Sequence, residues 1–149
     1  MAKANSEPRT PNSELRTPNS ELQTPYSELR TLYSKAFTDH LTNPRNVGEL
    51  ADANAIAEET NPVCGDRLRL YLRIRHETIE AAQFLAYGCP PTLVCGSALS
   101  EMLHGCSIEN AKLISRKDLV EALGGLPSRK QHAAALAIET LRAALNSCV

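Results

Sequence analysis

The segment that decides the fold is LRLYLRIRHETIEAAQFLAY, residues 68–87. Over residues 68–74, leucine or isoleucine stands at every second position and alternates with arginine or tyrosine, which is typical of a strand with one buried face. Residues 78–87 also have the composition of a strand. The charged pair His76-Glu77 between the two suits a hairpin turn. The segment therefore predicts two adjacent antiparallel strands.

Outside this hairpin, a weaker strand is predicted over residues 55–60. Before it, four residues have the spacing of a helix that ends at Asn43-Pro44; they are Tyr33, Ala36, Phe37 and Leu41. From Pro90 onward the pattern becomes helical, and the predicted helices cover residues 91–104, 107–114, 116–124 and 128–146. Strands first and helices after predict an α+β domain, with a small antiparallel β-sheet of about three strands and helices packed on one face.

The N-terminal residues 1–31 contain a repeated heptapeptide. RTPNSEL occupies residues 9–15 and 16–22, and QTPYSEL follows over residues 23–29. A proline in every unit prevents a continuous helix, at a cost of about 3 kcal/mol each, so this tail is predicted to be disordered. Short perfect repeats also arise by translation of a tandem nucleotide repeat. We therefore expect the functional chain to begin near Leu32, with one domain over residues 32–149.

Size and charge exclude several classes of function. The 149 residues are 42% hydrophobic and carry a formal net charge of −1, which suits one modest core. Charges of both signs are spread along the chain, without the basic stripe that nucleic-acid binding needs. No apolar run approaches the ~18 residues of a membrane span, and no apolar stretch of signal-peptide length begins the chain. The expected location is the cytoplasm.

The five cysteines favour metal or thiol chemistry over disulfides. They stand at positions 64, 89, 95, 106 and 148. The count is odd and no export signal is present, so reduced thiols are expected. The absence of a CxxC pair weighs against a zinc ribbon or a thioredoxin-like site. No P-loop or GxGxxG motif indicates a nucleotide site.

The first candidate site segment is NPVCGD, residues 61–66. Residues two apart in an extended backbone point the same way, so Cys64 and Asp66 can face one point. A thiolate and a carboxylate there can share a metal ion. The structural alternative is a buried cysteine beside a turn-forming aspartate.

The second candidate is Cys89, which lies where a strand gives way to a helix. Pro90 and Pro91 suit the first turn of that helix. The positive end of the helix dipole favours a thiolate, which would make Cys89 a better ligand and nucleophile.

The third candidate is His132. Ser128 and Gln131 have the spacing of a capping box, which places His132 on the first turn of the last helix, exposed enough to bind metal. A merely solvated histidine is the alternative. Cys95 and Cys106 are interpreted as structural.

Six segments in order resemble the IscU/NifU N-terminal scaffold family over most of residues 32–145. The clearest are DHLTNPRNVG at 39–48, CGD at 64–66, YGC at 87–89 and LPSRKQH at 126–132. The resemblance implies a small α+β fold with an exposed site at one end of the sheet. There the family assembles a [2Fe–2S] cluster from iron and from sulfur delivered by a cysteine desulfurase, and passes it to acceptor or carrier proteins. Some members bind zinc or iron at the same place.

Carried over residue by residue, the resemblance implies that Cys64, Asp66, Cys89 and His132 hold the cluster or metal. The family's third cysteine should follow the histidine, but this chain has Ala133. Cluster irons prefer thiolate sulfur, so a cluster here should be more labile. The family's chaperone-recognition segment Leu-Pro-Pro-Val-Lys is replaced by residues 126–130, LPSRK, which argues against recognition by the specialised Hsp70 chaperone.

The favoured interpretation is a scaffold that carries a cluster and is not an enzyme in the turnover sense. One alternative is a zinc- or iron-bound sulfur acceptor, a transferase in which Cys89 takes persulfide sulfur. A second is a degenerate family member that acts as a partner-binding module, as the change at Ala133 favours. A Cys/His/Asp hydrolase is a further alternative without positive support.

Overall fold

The structure is a computed structural model that describes residues 34–147. Three strands form an antiparallel sheet in the order β1-β2-β3, which are Ala55–Thr60, Arg67–Arg75 and Thr78–Tyr87. The described residues also form the α-helices α1 to α5, which are Lys35–Thr42, Pro90–Leu103, Ile108–Leu113, Arg116–Ala122 and Gln131–Ser147. This confirms the predicted α+β class. The predicted disordered tail, residues 1–31, lies outside the described residues.

Strand β2 has the alternation that the sequence predicts except at Tyr71, which is buried although it lies on the opposite face. Its apolar side chains are buried on the face that packs against the helices; they are Leu68, Leu70, Leu72 and Ile74. Each fully buried leucine contributes roughly 1.5–3 kcal/mol. His76 and Glu77 form the two-residue turn to β3 with φ of 53° and 60°, the left-handed backbone that a tight hairpin requires.

Helices α2 and α5 cover the buried face of the sheet. In α2, Gly96 lies directly against Phe84 of β3, and a Cβ at this glycine would come within 2.6 Å of the Phe84 ring. The missing side chain therefore lets the helix approach the strand closely. Among residues 34–147, no helix has the length and apolar character needed to cross a membrane.

The segment after α1 extends the sheet at its β3 edge. Helix α1 begins at the N-cap Ser34 and ends at Asn43. Val47 then forms a parallel bridge with Phe84, and the Gly48 N–H donates to the Phe84 carbonyl at 2.8 Å. This anchors the chain before it enters β1.

The start of the last helix differs from the prediction. A 3₁₀ turn covers Ser128–Lys130, with Pro127 as its N-cap and no side-chain cap. Helix α5 begins only at Gln131, whose side-chain amide donates to the Leu126 carbonyl at 3.3 Å. The predicted capping box of Ser128 and Gln131 is therefore wrong, because the tight turn after Pro127 takes its place.

Candidate metal site

The β1–β2 connection forms a tight turn with Cys64 near its tip. The Asn61 side chain accepts a hydrogen bond from the Val63 N–H at 2.9 Å, and the Gly65 N–H donates to the Asn61 carbonyl at 2.7 Å. Gly65 has φ of +78°. Cys64 is exposed, whereas Asp66 is only 4% exposed. The expected extended backbone over residues 64–66 is therefore wrong: the turn, closed through the left-handed glycine, presents these two side chains to one site.

The β3–α2 junction places Cys89 against Asp66. Cys89 is the N-cap of α2 and is half-buried. Its N–H donates to Asp66 Oδ1 at 3.2 Å and its thiol to Asp66 Oδ2 at 3.0 Å. Gly88 permits this approach, since a Cβ there would lie 2.1 Å from Asp66 Oδ1.

Thr92 is a site residue that the sequence analysis missed. It lies on the first turn of α2 and is fully buried. Its hydroxyl donates to Asp66 Oδ2 at 3.1 Å and lies 3.5 Å from Cys89 Sγ. The available signal was its position three residues after the N-cap, from which a polar side chain reaches back to the helix terminus.

His132 approaches the same carboxylate from the first turn of α5. Its Nδ1 lies 3.0 Å from the Arg129 carbonyl oxygen. A carbonyl can only accept, so Nδ1 carries a proton and the Nε2 of the neutral ring presents a lone pair. Nε2 lies 3.5 Å from Asp66 Oδ2. Two acceptor atoms that face each other in this way are satisfied by a cation between them, either a proton or a metal ion.

Three of the four sequence-predicted ligands converge. Cys64, Asp66 and His132 each place a ligand atom within 4.8 Å of the other two. Cys89 lies outside this three-residue group, although its thiol contacts Asp66. Its Sγ would complete a set of two thiols, one carboxylate and one imidazole, which suits zinc or a mixed-ligand iron–sulfur cluster.

Burial and the hydrogen bonds around Asp66 leave the pKa of Asp66 lowered and the pKa of the Cys89 thiol raised. Burial raises the pKa of Asp66, but hydrogen bonds from Cys89, Cys64 and Thr92 outweigh it and leave that pKa below its ordinary value. Burial, followed by the bond to Asp66, raises the pKa of the Cys89 thiol. The expectation that the helix terminus favours a thiolate at Cys89 is therefore wrong for the unliganded site, because burial and the neighbouring carboxylate oppose it.

The other described cysteines, Cys95 and Cys106, do not belong to this group of candidate ligands. Cys95 is fully buried in the core, and burial raises its thiol pKa to about 12. Cys106 is half-buried, and burial raises its pKa as well. Ala133, next to His132, is also fully buried. Cys95 is therefore a core residue, as the sequence indicates.

A cavity of about 170 Å³ borders the site at His132. It is lined by Thr60, Asn61, Pro62, His132, Ala135, Leu136 and Glu139. The turn before Cys64 and one face of α5 form its walls.

Comparison with known proteins identifies the family to which this arrangement belongs. Residues 32–148 match the profile of the NifU-like N terminal domain. The chain belongs to the NifU-like N-terminal domain family. Within this family, the chain is 42% identical over 107 residues to the iron-sulfur cluster assembly scaffold protein IscU 1 of Archaeoglobus fulgidus, covering 72% of this chain and 70% of that relative.

Two further proteins extend the comparison. The iron-sulfur cluster assembly scaffold protein IscU of Aquifex aeolicus is 41% identical over 109 residues, covering 72% of this chain and 69% of its own. A solved NifU-like protein from Brucella abortus superposes with a TM-score of 0.65 over 80% of this chain and 96% of its own, at 14% identity. This structural likeness shows that the fold is that of NifU-like domains.

Proposed function

We propose that this protein is a scaffold for iron–sulfur cluster assembly. It transiently holds a [2Fe–2S] cluster at Cys64, Asp66, Cys89 and His132 and passes it to acceptor proteins. The observation that carries the proposal is the convergence of Cys64, Asp66 and His132 within 4.8 Å, with Cys89 hydrogen-bonded to Asp66. The 42% identity to a protein named as such a scaffold supports the same function.

The site chemistry suits a cluster that is held and then released. Two thiols supply the sulfur ligands, and Asp66 and His132 supply harder oxygen and nitrogen ligands. Cys64 is exposed, so a thiolate of an acceptor protein can reach the iron bound by Cys64 and displace Cys64 from that iron. Because iron in such clusters prefers thiolate, the two non-sulfur ligands weaken retention and favour transfer.

Sulfur arrives from a cysteine desulfurase, and Cys64 is the accessible acceptor of it. Its thiolate attacks the outer sulfur of the desulfurase persulfide, a new S–S bond forms, and the desulfurase cysteine leaves as a thiolate. Cys89 is less suited to this step because its thiol is half-buried and bonded to Asp66. This refines the sequence-based alternative, which assigned the persulfide to Cys89.

Zinc binding is a second candidate function, favoured by the same three converging ligand atoms. Two thiolates, a carboxylate and an imidazole make a complete tetrahedral set for zinc. A zinc-bound sulfur acceptor would retain stoichiometric zinc and carry persulfide after desulfurase treatment, without a visible chromophore. A partner-binding module that has lost cluster chemistry would retain neither.

The decisive experiment is anaerobic reconstitution with iron and a cysteine desulfurase plus cysteine, with iron, acid-labile sulfide and the visible spectrum measured. We expect a cluster in the wild type and its loss in Cys64→Ala and Cys89→Ala. The matched control is Cys95→Ala, which removes a core cysteine and should keep the cluster. A wild type that forms no cluster, or a Cys64→Ala variant that forms one normally, overturns the proposal.

The variant Ala133→Cys tests the departure from the family pattern. If its thiol reaches the irons, the cluster should persist longer than in the wild type. Because Ala133 is fully buried, the added sulfur also disturbs packing, at about 1–3 kcal/mol. Urea unfolding of this variant is therefore measured beside the decay of its cluster. The two measurements together distinguish a variant that loses its fold from a folded variant whose cluster lifetime is unchanged.

A further inference from the structure

We infer that Thr92 is a positioning residue of this site: its hydroxyl holds the Asp66 carboxylate toward Cys64 and His132 and so sets the affinity of the site for metal. The inference rests on the proposed function, because it concerns the same ligand set.

The start of α2 holds both oxygens of the Asp66 carboxylate. Its Oδ1 is fixed by the Cys89 N–H at 3.2 Å. Its Oδ2 receives the Thr92 hydroxyl at 3.1 Å and the Cys89 thiol at 3.0 Å. These groups belong to the N-cap and the first turn of α2. The N-terminus of α2 therefore holds both carboxylate oxygens and leaves Oδ2 directed at His132 Nε2, 3.5 Å away.

Only some of these contacts to Asp66 remain when a metal ion binds. The Cys89 thiol hydrogen-bonds to Asp66 in the free protein, and the Cys64 thiol lies in the same group of ligand atoms. As ligands they give up their protons, and His132 turns its Nε2 lone pair to the metal. The Thr92 hydroxyl is then the one side-chain donor among these contacts that is not itself a ligand. Only it and the Cys89 N–H still orient the carboxylate.

Thr92 is buried beside a second proposed ligand. Its side chain is fully buried, so a bulk water molecule does not replace the hydroxyl when it is removed. The hydroxyl also lies 3.5 Å from Cys89 Sγ, between two of the proposed ligands. Removing a group that hydrogen-bonds to a metal ligand and orients it usually lowers metal affinity by about 10–100-fold.

The test is zinc affinity, measured by competition with a chelator of known affinity. Thr92→Val keeps the shape of the side chain and removes the hydroxyl, and we expect zinc affinity to fall about 10–100-fold. Thr92→Ser restores the hydroxyl and should bind within about threefold of the wild type. Thr92→Ala is a second hydroxyl-free variant, in case the valine methyl group disturbs folding.

The matched control is Thr140→Val. Thr140 is likewise fully buried, but its hydroxyl donates to the Leu136 carbonyl within α5 at 2.7 Å. We expect Thr140→Val to keep wild-type zinc affinity. The visible spectrum of the cobalt-substituted protein gives a second readout, which should change in Thr92→Val and not in Thr140→Val, because only the former alters how Asp66 meets the metal.

Two results overturn the inference. One is a zinc affinity within threefold of the wild type in a folded hydroxyl-free variant. The other is a Thr92→Ser affinity as weak as that of Thr92→Val. Failure of the proposed function has a different signature, since the wild type would then form no cluster on reconstitution, whatever the zinc affinities of the Thr92 variants.

Discussion

Two clusters of polar side chains adjoin helix α2, and they share some of their residue types. The site cluster at its N-terminus consists of Cys64, Asp66, Cys89, Thr92 and His132. The Arg45 cluster lies further along the helix and consists of Asp39, His40, Arg45, Ser97 and Glu101. Each combines a histidine, carboxylate oxygen and a hydroxyl group. They differ in how donors and acceptors are balanced.

In the Arg45 cluster the acceptors meet donors within the protein. His40 Nδ1 lies 2.7 Å from Ser97 Oγ, and His40 Nε2 lies 3.4 Å from Glu101 Oε1. The Arg45 guanidinium lies 2.6 Å from Asp39 and 3.6 Å from Glu101. These pairs tie α1 and the segment after it to α2, and a cation would find no free set of lone pairs among them.

The site cluster has an excess of lone pairs instead. His132 Nε2 lies 3.5 Å from Asp66 Oδ2, so that in the neutral ring two acceptor atoms face each other, and Cys64 is exposed beside them. A histidine, a carboxylate and a hydroxyl group are therefore common to a metal site and to a structural network. The two clusters differ in that cysteines and converging acceptor atoms make up the first, whereas an arginine pairs with the acceptors of the second.

The largest effect is expected from Gly88→Ala, which attacks the site cluster through the backbone. The new Cβ would meet Asp66 Oδ1 at 2.1 Å, and Gly88 has φ of +132°, a conformation that side chains rarely adopt. We expect a loss of about 2–4 kcal/mol in the free energy of unfolding together with weaker zinc binding. Urea denaturation and chelator competition measure the two.

Gly65→Ala is the control for this change. Gly65 also has positive φ, at +78°, but a Cβ added there would have no other atom within 4 Å. It should therefore cost only about 1–2 kcal/mol. An equal cost for the two substitutions would contradict the close approach of Gly88 to Asp66.

An intermediate effect is expected from Arg45→Met, which removes the guanidinium from the Arg45 cluster. Asp39 and Glu101 then lose their ion pairs with the half-buried guanidinium, and the free energy of unfolding should fall by about 1–2 kcal/mol. Zinc affinity at the site cluster should stay unchanged. A parallel loss of zinc affinity in the folded variant would mean that the two clusters are coupled through α2, and the comparison would fail.

The smallest effect concerns the pH dependence of stability and involves His40. Burial, followed by the nearby Arg45 charge, holds the pKa of His40 below 6.5. The unfolded chain therefore takes up a proton as the pH falls through about 6.5, while the folded protein does not until lower pH. This contribution to stability is fully present above about pH 6.5 and is lost as the pH falls below it.

His40→Gln should remove that part of the acid sensitivity, so that unfolding free energy falls less between about pH 6.5 and 5 than in the wild type. Urea denaturation at several pH values measures the slope. His76→Gln, at the exposed β2–β3 turn, is the control and should leave the slope as it is. An unchanged slope in His40→Gln would remove His40 from the acid response.

Much of the fold could be predicted from the sequence because it depends on local patterns. The period of two over residues 68–74 predicts the buried and exposed faces of β2, and the bounds 55–60 and 78–87 agree with β1 and β3. The last helix was less predictable, because the choice between a capping box at Ser128 and a 3₁₀ turn depends on how Pro127 packs. In contrast, the position of Cys95 inside a predicted helix was enough to assign it to the core.

By itself, the sequence determined the strand and helix order and singled out Cys64, Asp66, Cys89 and His132 as candidate ligands, since residue type and motif spacing are local properties. Only the tertiary structure decided how they meet. The pairing of Arg67 with Tyr87 brings the turn that holds Asp66 beside the start of α2, where Gly88 makes room and Thr92 grips the carboxylate. It also decided that Cys89 rests as a thiol, because burial and a neighbouring carboxylate are consequences of packing that no local pattern contains.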